Sequence, residues 1–309
     1  MERRDRATAN SRACALLCKP ITGDGDLLEV LQLWRFKPNR TRKNVVPEGA
    51  PFVFSETLGL VRSRTGKLIM TNITRQYDRV FMLICKWLAD NMPPGLKHPF
   101  PFTSINVNYD YGARIHRDGN NLGASLTKSF GCFAGGELLY WGEDDGSTPL
   151  GRMRREDACA IDSHNGLLLF DGRRAHAVAP YEGERYSLVY FTVPKYAQAR
   201  HADLDVLLRC KVVWPSVSTV RYFKSLLGPP KGYCAGFRAQ SLLKYMGMTE
   251  PAPAMHWNAV SLATLGVAVL KHILTFAALP TTIFGRTDAA LRTLLLVRAH
   301  PSRLCDEIL

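Results

Sequence analysis

A succession of short, turn-separated segments between residues 103 and 193 constrains the fold of this 309-residue chain more than any other feature. The segments have the composition of β-strands, and clusters such as Gly119-Asn120-Asn121 and Gly135-Gly136 divide them. Short strands at such regular spacing are typical of a β-sandwich or jelly roll, in which alternate side chains point into one interior. We expect strands at 103–109, 113–117, 123–132, 137–141, 158–162, 167–171, 175–179 and 185–193.

Helical patterns flank this region on both sides. From Tyr77 to Leu88, apolar residues recur at three- and four-residue spacing, which predicts a helix that ends before Pro93-Pro94 and packs against the sheet. We therefore expect an α+β fold, with a jelly-roll core buttressed by helices and a helical C-terminal annex. Other expected elements are a helix at 27–34, strands at 52–54, 58–61 and 67–70, and helices at 204–214, 217–227, 240–246, 259–279 and 288–297.

The net charge of +13 is concentrated in the flanks of the chain. Residues 1–45 carry ten Lys and Arg against five Asp and Glu, residues 46–200 carry eighteen against sixteen, and residues 201–309 carry twelve against six. We divide the chain accordingly into a basic, partly ordered N-terminal arm, a central domain and a helical C-terminal region. Basic flanks suit nucleic acid, acidic proteins or anionic membrane surfaces as partners.

The cysteines and the apolar stretches bear on the compartment. The eight cysteines are scattered without a Cys-x-x-Cys pair, which indicates a reducing environment inside the cell: cytoplasm, nucleus or an organelle. The charged first residues do not form a secretory signal. Lys271-His272 interrupts the most apolar stretch, 259–279, so we expect a buried or partner-facing helix there rather than a stable membrane span.

Three residues within the strand-rich region form a candidate metal site. His116 and Asp118 are two positions apart on an expected strand and so lie on one face, and His176 lies on a later strand. Two histidines and one carboxylate with open positions are the ligand set of non-haem Fe(II) oxygenases. A second His-x-Asp, His201-Ala202-Asp203, opens an expected helix and has no later His followed by Arg-x-Ser, so we interpret it as a solvated first turn.

Arg185-Tyr186-Ser187, the single Arg-x-Ser of the chain, follows His176 by nine residues. Alternation along a strand places Arg185 and Ser187 on the same face. A guanidinium fork beside a hydroxyl can hold a carboxylate co-substrate. The alternative for all of these residues is structural: hydrogen-bonded barrel histidines, with Arg185 in an ion pair.

Two further residues are candidates for ligand contacts, and each also has a structural alternative. Tyr109, on the strand before His116, reaches the co-substrate with its hydroxyl or is a barrel aromatic at the rim. Asn121 contacts substrate or is an ordinary turn residue. Loop arginines near the expected mouth could steer an anionic substrate or form a solvated face: Arg152, Arg154, Arg155, Arg173 and Arg174.

With these motifs in place, residues 103–193 resemble the double-stranded β-helix core of the Fe(II)/2-oxoglutarate-dependent oxygenases. The matching pattern is His-x-Asp, a distal His preceded by the run 166–172, and Arg-x-Ser. Segments 116–125 and 131–138 are similar to the TET/J-binding-protein type of nucleic-acid oxygenase. A prolyl-hydroxylase-like branch shares much of the same pattern.

The resemblance implies that His116, Asp118 and His176 bind Fe(II), that Arg185 pairs with the distal carboxylate of 2-oxoglutarate, and that Ser187 donates a hydrogen bond to it. It also implies O₂ as the oxidant and ascorbate as a stimulant. The expected activity of residues 46–200 is hydroxylation or oxidative demethylation of a macromolecule, either a nucleic-acid base or a protein side chain. The competing hypothesis is a catalytically idle barrel that serves as a binding module for nucleic acid or protein.

Overall fold

The computed structural model describes residues 5–228 apart from 43, 44, 48 and 64. Helices in this part are α1 (Arg6–Leu17), α2 (Asp24–Leu33), α3 (Asn72–Gln76), α4 (Asp78–Asn91), α5 (His201–Arg209) and α6 (Val217–Leu227). Strands are β1 (Pro38–Asn39), β2 (Val53–Arg62), β3 (Leu68–Met70), β4 (Ser104–Tyr109), β5 (Leu122–Gly135), β6 (Leu138–Tyr140), β7 (Cys159–Ile161), β8 (Leu168–Phe170), β9 (His176–Val178) and β10 (Tyr181–Thr192).

The strands form two antiparallel sheets. The larger sheet has the order β1-β2-β4-β10-β5-β8, with β3 beside β2, and the smaller has the order β7-β6-β9. Every strand pair is antiparallel. Leu138 and Tyr140 of the small sheet cluster with Leu168, Phe170 and Val189 of the large one, so the two sheets face each other.

Alternation along the strands separates two interiors. On β10, Tyr186, Leu188 and Tyr190 are fully buried in the main apolar core, on the side where the helices pack. Arg185 and Ser187 of the same strand therefore point to the opposite side, between the two sheets. The larger core is apolar, whereas the space between the sheets receives the polar side chains.

Helix α4 covers the outer face of the large sheet as its sequence period predicts. Its apolar stripe is buried in the main core, and Asp78 in its first turn complements the positive end of the helix. The stripe consists of Val80, Phe81, Leu83, Ile84, Cys85, Trp87 and Leu88.

The described part of residues 1–45 contains two helices that contribute to the same core. Leu27, Val30 and Leu31 of α2 are completely buried. Asp24 fixes the start of this helix, because its carboxylate accepts a hydrogen bond from Trp87 Nε1 at 3.1 Å and pairs with Lys128 Nζ at 3.0 Å. Helix α2 is thus packed against α4 and β5. The division at residues 45 and 200 stays a prediction.

Leu31→Ala is expected to lower the free energy of unfolding of the whole described fold by about 2–5 kcal/mol, because it leaves a cavity in the main core. The matched control is Gln32→Ala, an exposed position on the same helix. Denaturant unfolding followed by tryptophan fluorescence measures both variants. Equal stability of the two variants would contradict the packing of α2 into the core.

Three predictions for the strand-rich region differ from the structure, because the backbone pairs with segments that are distant in sequence. Segment 113–117 is no strand: Ala113 O, Arg114 N and His116 bond to different partners, and only His116 forms a bridge, with His176. The expected turn at 180–184 lies mostly within β10, because β5 continues to Gly135 and pairs as far as Tyr181. Segments 52–54 and 58–61 form one strand, since β4 pairs continuously with β2.

The helical region after residue 200 is described in part. Helix α6 matches the expected 217–227, and the expected 204–214 helix begins earlier, at His201, and ends at Arg209. The helices expected at 240–246, 259–279 and 288–297 lie outside the described residues. Among the residues that are described, none forms a helix with the length and hydropathy needed to span a bilayer.

Candidate metal centre

His116, Asp118 and His176 converge at one end of the space between the sheets. One ligand atom from each lies within 4.8 Å of the others, and both histidines are buried. Asp118 lies between the imidazoles: its Oδ1 is 3.8 Å from His116 Nε2, and its Oδ2 is 3.9 Å from His176 Nε2. These separations exceed a hydrogen bond but are less than the roughly 4.2 Å spanned by two metal–ligand bonds of about 2.1 Å.

Backbone pairing brings the three residues together. The N–H groups of His116 and His176 each donate to the other residue's carbonyl, at 3.0 Å in both directions. Asp118 N donates to Gly172 O at 2.7 Å. The triad therefore arises where the segment before β5 crosses the start of β9, although the two segments are far apart in sequence.

Both imidazoles are held in the form that binds a metal through Nε2. His116 Nδ1 lies 2.8 Å from Arg114 O, and His176 Nδ1 lies 2.9 Å from Arg174 O. A carbonyl can only accept, so each Nδ1 carries a proton, and Nε2 is the ring nitrogen left for a metal. Burial, together with the neighbouring His176, lowers the pKa of His116 to about 4, which keeps this imidazole neutral at physiological pH.

Arg185 lies buried between the sheets without an anionic partner among the described residues. Its Nη2 donates to Ser129 Oγ at 2.8 Å and to Gly136 O at 3.2 Å, while its Nε has no hydrogen-bond partner. The guanidinium lies 5.5 Å from the ring centres of both Phe133 and Tyr181. Burial lowers the pKa of Arg185 from its ordinary value, yet the guanidinium stays charged at pH 7. A buried, incompletely bonded cation fits a carboxylate ligand.

Ser187 belongs to a row of small polar side chains that crosses the large sheet. The strand register places Ser55 beside Asn108, Asn108 beside Ser187, and Ser187 beside Ser129. All four are buried, and Ser187 Oγ accepts a hydrogen bond from Asn108 Nδ2 at 3.2 Å. The row makes the space between the sheets polar beside Arg185.

Sequence reasoning missed Ser129, Asn108 and Tyr111 as residues of this interior. Asn108 Oδ1 and the Tyr111 hydroxyl are buried and have no hydrogen-bond partner. The available signal was alternation: Ser125, Thr127 and Ser129 are polar residues that share one face of β5, and all three are buried. Buried polar atoms without partners are rare in folded proteins, so these atoms indicate space for a polar ligand.

Comparisons with known proteins give distant structural neighbours and no sequence match. No protein-family model matches the chain, and no curated protein sequence matches it. NgTET1 in complex with 5mC DNA is 16% identical with a TM-score of 0.32, over 45% of this chain and 60% of that chain. The chain thus spans less than two thirds of NgTET1.

Two further solved structures are similar at the same level. A 2OG-Fe(II) oxygenase family oxidoreductase from Burkholderia pseudomallei is 15% identical with a TM-score of 0.33, over 62% of this chain and 92% of that chain. A Pseudomonas putida prolyl-4-hydroxylase is 14% identical with a TM-score of 0.25, over 60% and 98%. Both branches noted in the sequence, TET and prolyl hydroxylase, occur among these neighbours. All TM-scores are below 0.5, so the similarity assigns neither residue roles nor a substrate.

Tyr109 packs among other aromatic side chains. It pairs with Tyr186 across β4 and β10, and the two rings are 4.9 Å apart. It also stacks on Phe36 at 5.5 Å. Tyr109 thus lies on the opposite face of the sheet from Arg185, because the register sets Asn108, not Tyr109, on the inner face. This packing favours the alternative of a structural aromatic, and the role in co-substrate binding stays a prediction.

Asn121 contacts a member of the triad. Its Nδ2 donates to Asp118 Oδ2 at 3.0 Å and to Ser125 Oγ at 3.3 Å, and the side chain is buried. Gly172 leaves room for this contact, since a Cβ there would lie 2.9 Å from Asn121 Nδ2. The amide therefore orients the carboxylate, while contact with a substrate stays a prediction.

Asn121→Ala is expected to weaken metal binding about 10-fold or more, because an outer hydrogen bond to a ligand carboxylate is lost. Titration with Co(II) measures the affinity. An alanine variant with unchanged metal affinity and a raised KM for substrate would instead assign Asn121 to substrate binding. Asn165→Ala, which removes an amide that donates to Asp162 at an exposed site, is the matched control.

The second His-x-Asp differs from its sequence interpretation. His201 is exposed at the start of α5, but Asp203 is completely buried and pairs with Arg200 at 2.8 Å and Arg75 at 3.3 Å. The motif therefore anchors α5 instead of facing solvent. Among the described residues, the triad at His116 is the one group of this kind that could hold a metal ion.

Two of the five loop arginines bond to other parts of the fold, while a steering role for the others stays a prediction. Arg154 pairs with Asp157 on the surface at 2.8 Å. Arg174 is buried, and it donates to Gly228 O at 2.7 Å and to Gly142 O. Arg174 therefore connects the end of α6 to the segment before His176 and is not available to steer a substrate.

Proposed function

We propose that this protein is an Fe(II)- and 2-oxoglutarate-dependent dioxygenase. The observation that carries the proposal is the convergence of His116, Asp118 and His176 within 4.8 Å, with both Nε2 atoms facing the carboxylate. Two imidazoles and one carboxylate suit Fe(II) and leave positions for other ligands. The buried Arg185 with its unpartnered Nε supports an anionic co-substrate.

Each residue has a defined task in this proposal. His116, Asp118 and His176 hold the metal, Arg185 pairs with the distal carboxylate of 2-oxoglutarate, and Ser187 donates to the same carboxylate. The bound Fe(II), O₂ and 2-oxoglutarate supply the oxidation that inserts one oxygen atom into a substrate C–H bond and yields succinate and CO₂. The chain itself positions these groups between the two sheets.

The same proposal includes the jelly-roll topology. Two facing antiparallel sheets, with the metal ligands on the loop before β5 and on β9, support a double-stranded β-helix core. Helices on the outer face of the large sheet support the expected buttress.

The substrate is proposed to be a macromolecule, either a nucleic-acid base or a protein side chain. The excess of Lys and Arg in residues 1–45 and 201–309 supports an anionic partner. A catalytically idle binding module is the competing function. The complete triad beside an unpaired buried guanidinium argues against it, because a module without catalysis has no use for either.

The test is succinate formation by the full chain with Fe(II), 2-oxoglutarate and ascorbate, with candidate oligonucleotides and peptides added in turn. We expect metal-dependent succinate, with mass spectrometry identifying the oxidised substrate. A protein that binds metal but forms no succinate under any of these conditions would favour the binding module. Such a module would show salt-dependent nucleic-acid affinity that survives mutation of the triad.

A further inference from the structure

We infer that Asp144 is a positioning residue of the metal centre, whose carboxylate ties together the two chain segments that carry the three ligands. The inference rests on the proposed metal site and adds to it a residue outside the His-Asp-His and Arg-x-Ser motifs. Asp144 lies in the loop after β6, in an Asp-Asp-Gly sequence that predicts a turn and no metal site.

Four hydrogen bonds saturate the Asp144 carboxylate. Its Oδ2 accepts from Arg117 Nε at 2.7 Å and from the Ala175 backbone N–H at 2.6 Å. Its Oδ1 accepts from Arg117 Nη2 at 2.7 Å and from Gly146 N at 2.9 Å. The side chain is 1% exposed, so these bonds are shielded from water.

The two main partners of Asp144 flank the metal ligands. Arg117 lies between His116 and Asp118, and Ala175 immediately precedes His176. On the metal side, the two segments are joined by the bridge between His116 and His176, by Val178 N donating to Ala113 O at 2.9 Å and by Asp118 N donating to Gly172 O at 2.7 Å. One carboxylate bound to both segments therefore adds a side-chain connection to these backbone bonds and restrains the spacing of the ligands.

Charge strengthens this connection. Burial alone would raise the pKa of Asp144, but the Arg117 guanidinium and the N–H groups of Gly146 and Ala175 outweigh it, and the pKa lies below its ordinary value. The carboxylate is thus ionised at neutral pH, and its two-pronged pairing with Arg117 is charge-assisted. An asparagine at this position would turn an N–H₂ group toward donors and lose part of the connection.

The experiment is Co(II) titration of the full chain, followed by visible absorption, for Asp144→Asn, Arg117→Lys and the parent protein. We expect Co(II) affinity to fall about 10-fold or more in both variants, as for other outer partners of metal ligands. The absorption spectrum of the bound Co(II) is expected to change as well, because the ligands are held less firmly. Asp145→Asn, an exposed neighbour bonded to Ser147, is expected to match the parent.

The outcomes separate this role from the proposed function. A parent protein that binds no Co(II) would overturn the metal site itself. Parental affinity and spectrum in Asp144→Asn and Arg117→Lys would overturn the role of Asp144 alone. A lower melting temperature with an unchanged Co(II) spectrum would show a merely structural role and overturn it too. If Asp144→Asn does not fold, the Co(II) affinity and spectrum of Arg117→Lys test the role of Asp144 instead. That variant keeps the positive charge but loses the two-nitrogen guanidinium contact with the carboxylate.

Discussion

Asp118→Ala is expected to abolish metal-dependent succinate formation and to remove the stabilisation of the protein by metal. Asp118 is the one anionic donor of the triad, and its two oxygens lie 3.8 and 3.9 Å from the two Nε2 atoms. Without it, two imidazoles are left, which is too few ligands to retain Fe(II). Succinate assay and thermal unfolding with and without metal measure the two effects.

A matched control exists within the same chain. His201→Ala alters the second His-x-Asp at its exposed histidine and is expected to leave succinate formation and metal stabilisation at parental levels. Asp118→Asn keeps the shape of the side chain but loses its negative charge. It is therefore expected to lose succinate formation and metal stabilisation as the alanine variant does. Parental turnover in either Asp118 variant would remove Asp118 from the metal site.

Arg185→Ala is expected to raise the KM for 2-oxoglutarate by about 30-fold or more while metal binding persists. Truncating one partner of a buried, hydrogen-bonded charge pair costs about 2–5 kcal/mol, and about 1.4 kcal/mol is a factor of ten. In the structure the guanidinium has no carboxylate of the described residues within ion-pair distance, so the co-substrate would provide its counter-charge. Succinate formation against 2-oxoglutarate concentration measures the change.

Two further variants separate the effect of the charge of Arg185 from that of its guanidinium geometry. Arg185→Lys keeps the charge but loses the fork, so we expect a smaller rise in KM than for alanine. Arg154→Ala removes an exposed arginine that pairs with Asp157 and is expected to leave KM unchanged. A parental KM in Arg185→Ala, with the Co(II) affinity intact, would show that the co-substrate carboxylate binds elsewhere.

The sequence alone predicted the elements whose cause is local. Alternation of polar and apolar residues placed Arg185 and Ser187 on one face, and the structure confirms this division of β10. The three- and four-residue period predicted α4, and the helical pattern of 217–227 predicted α6. In the structure the Ser216 side chain accepts a hydrogen bond from Thr219 N at the start of α6. These features depend on residues close together in the chain.

The register and partners of the strands were decided only in three dimensions. Tyr109 and Asn108 are adjacent, and the sequence cannot tell which of them faces Arg185; pairing of β4 with β10 sets Asn108 there. A shift of one residue would exchange the two faces. The isolated bridge at His116 likewise replaces an expected strand, since its neighbours find different backbone partners.

The sequence by itself therefore determined which residues could bind a metal and a carboxylate, because motif spacing and strand alternation depend on residues that are close together in the chain. The tertiary structure decided which other residues support them: Ser129 beside Arg185, Asn121 beside Asp118, and Asp144 across the two ligand segments. Each of these contacts joins segments whose meeting depends on sheet register and loop packing. Such long-range geometry is set by the collective burial of the core and not by any local pattern.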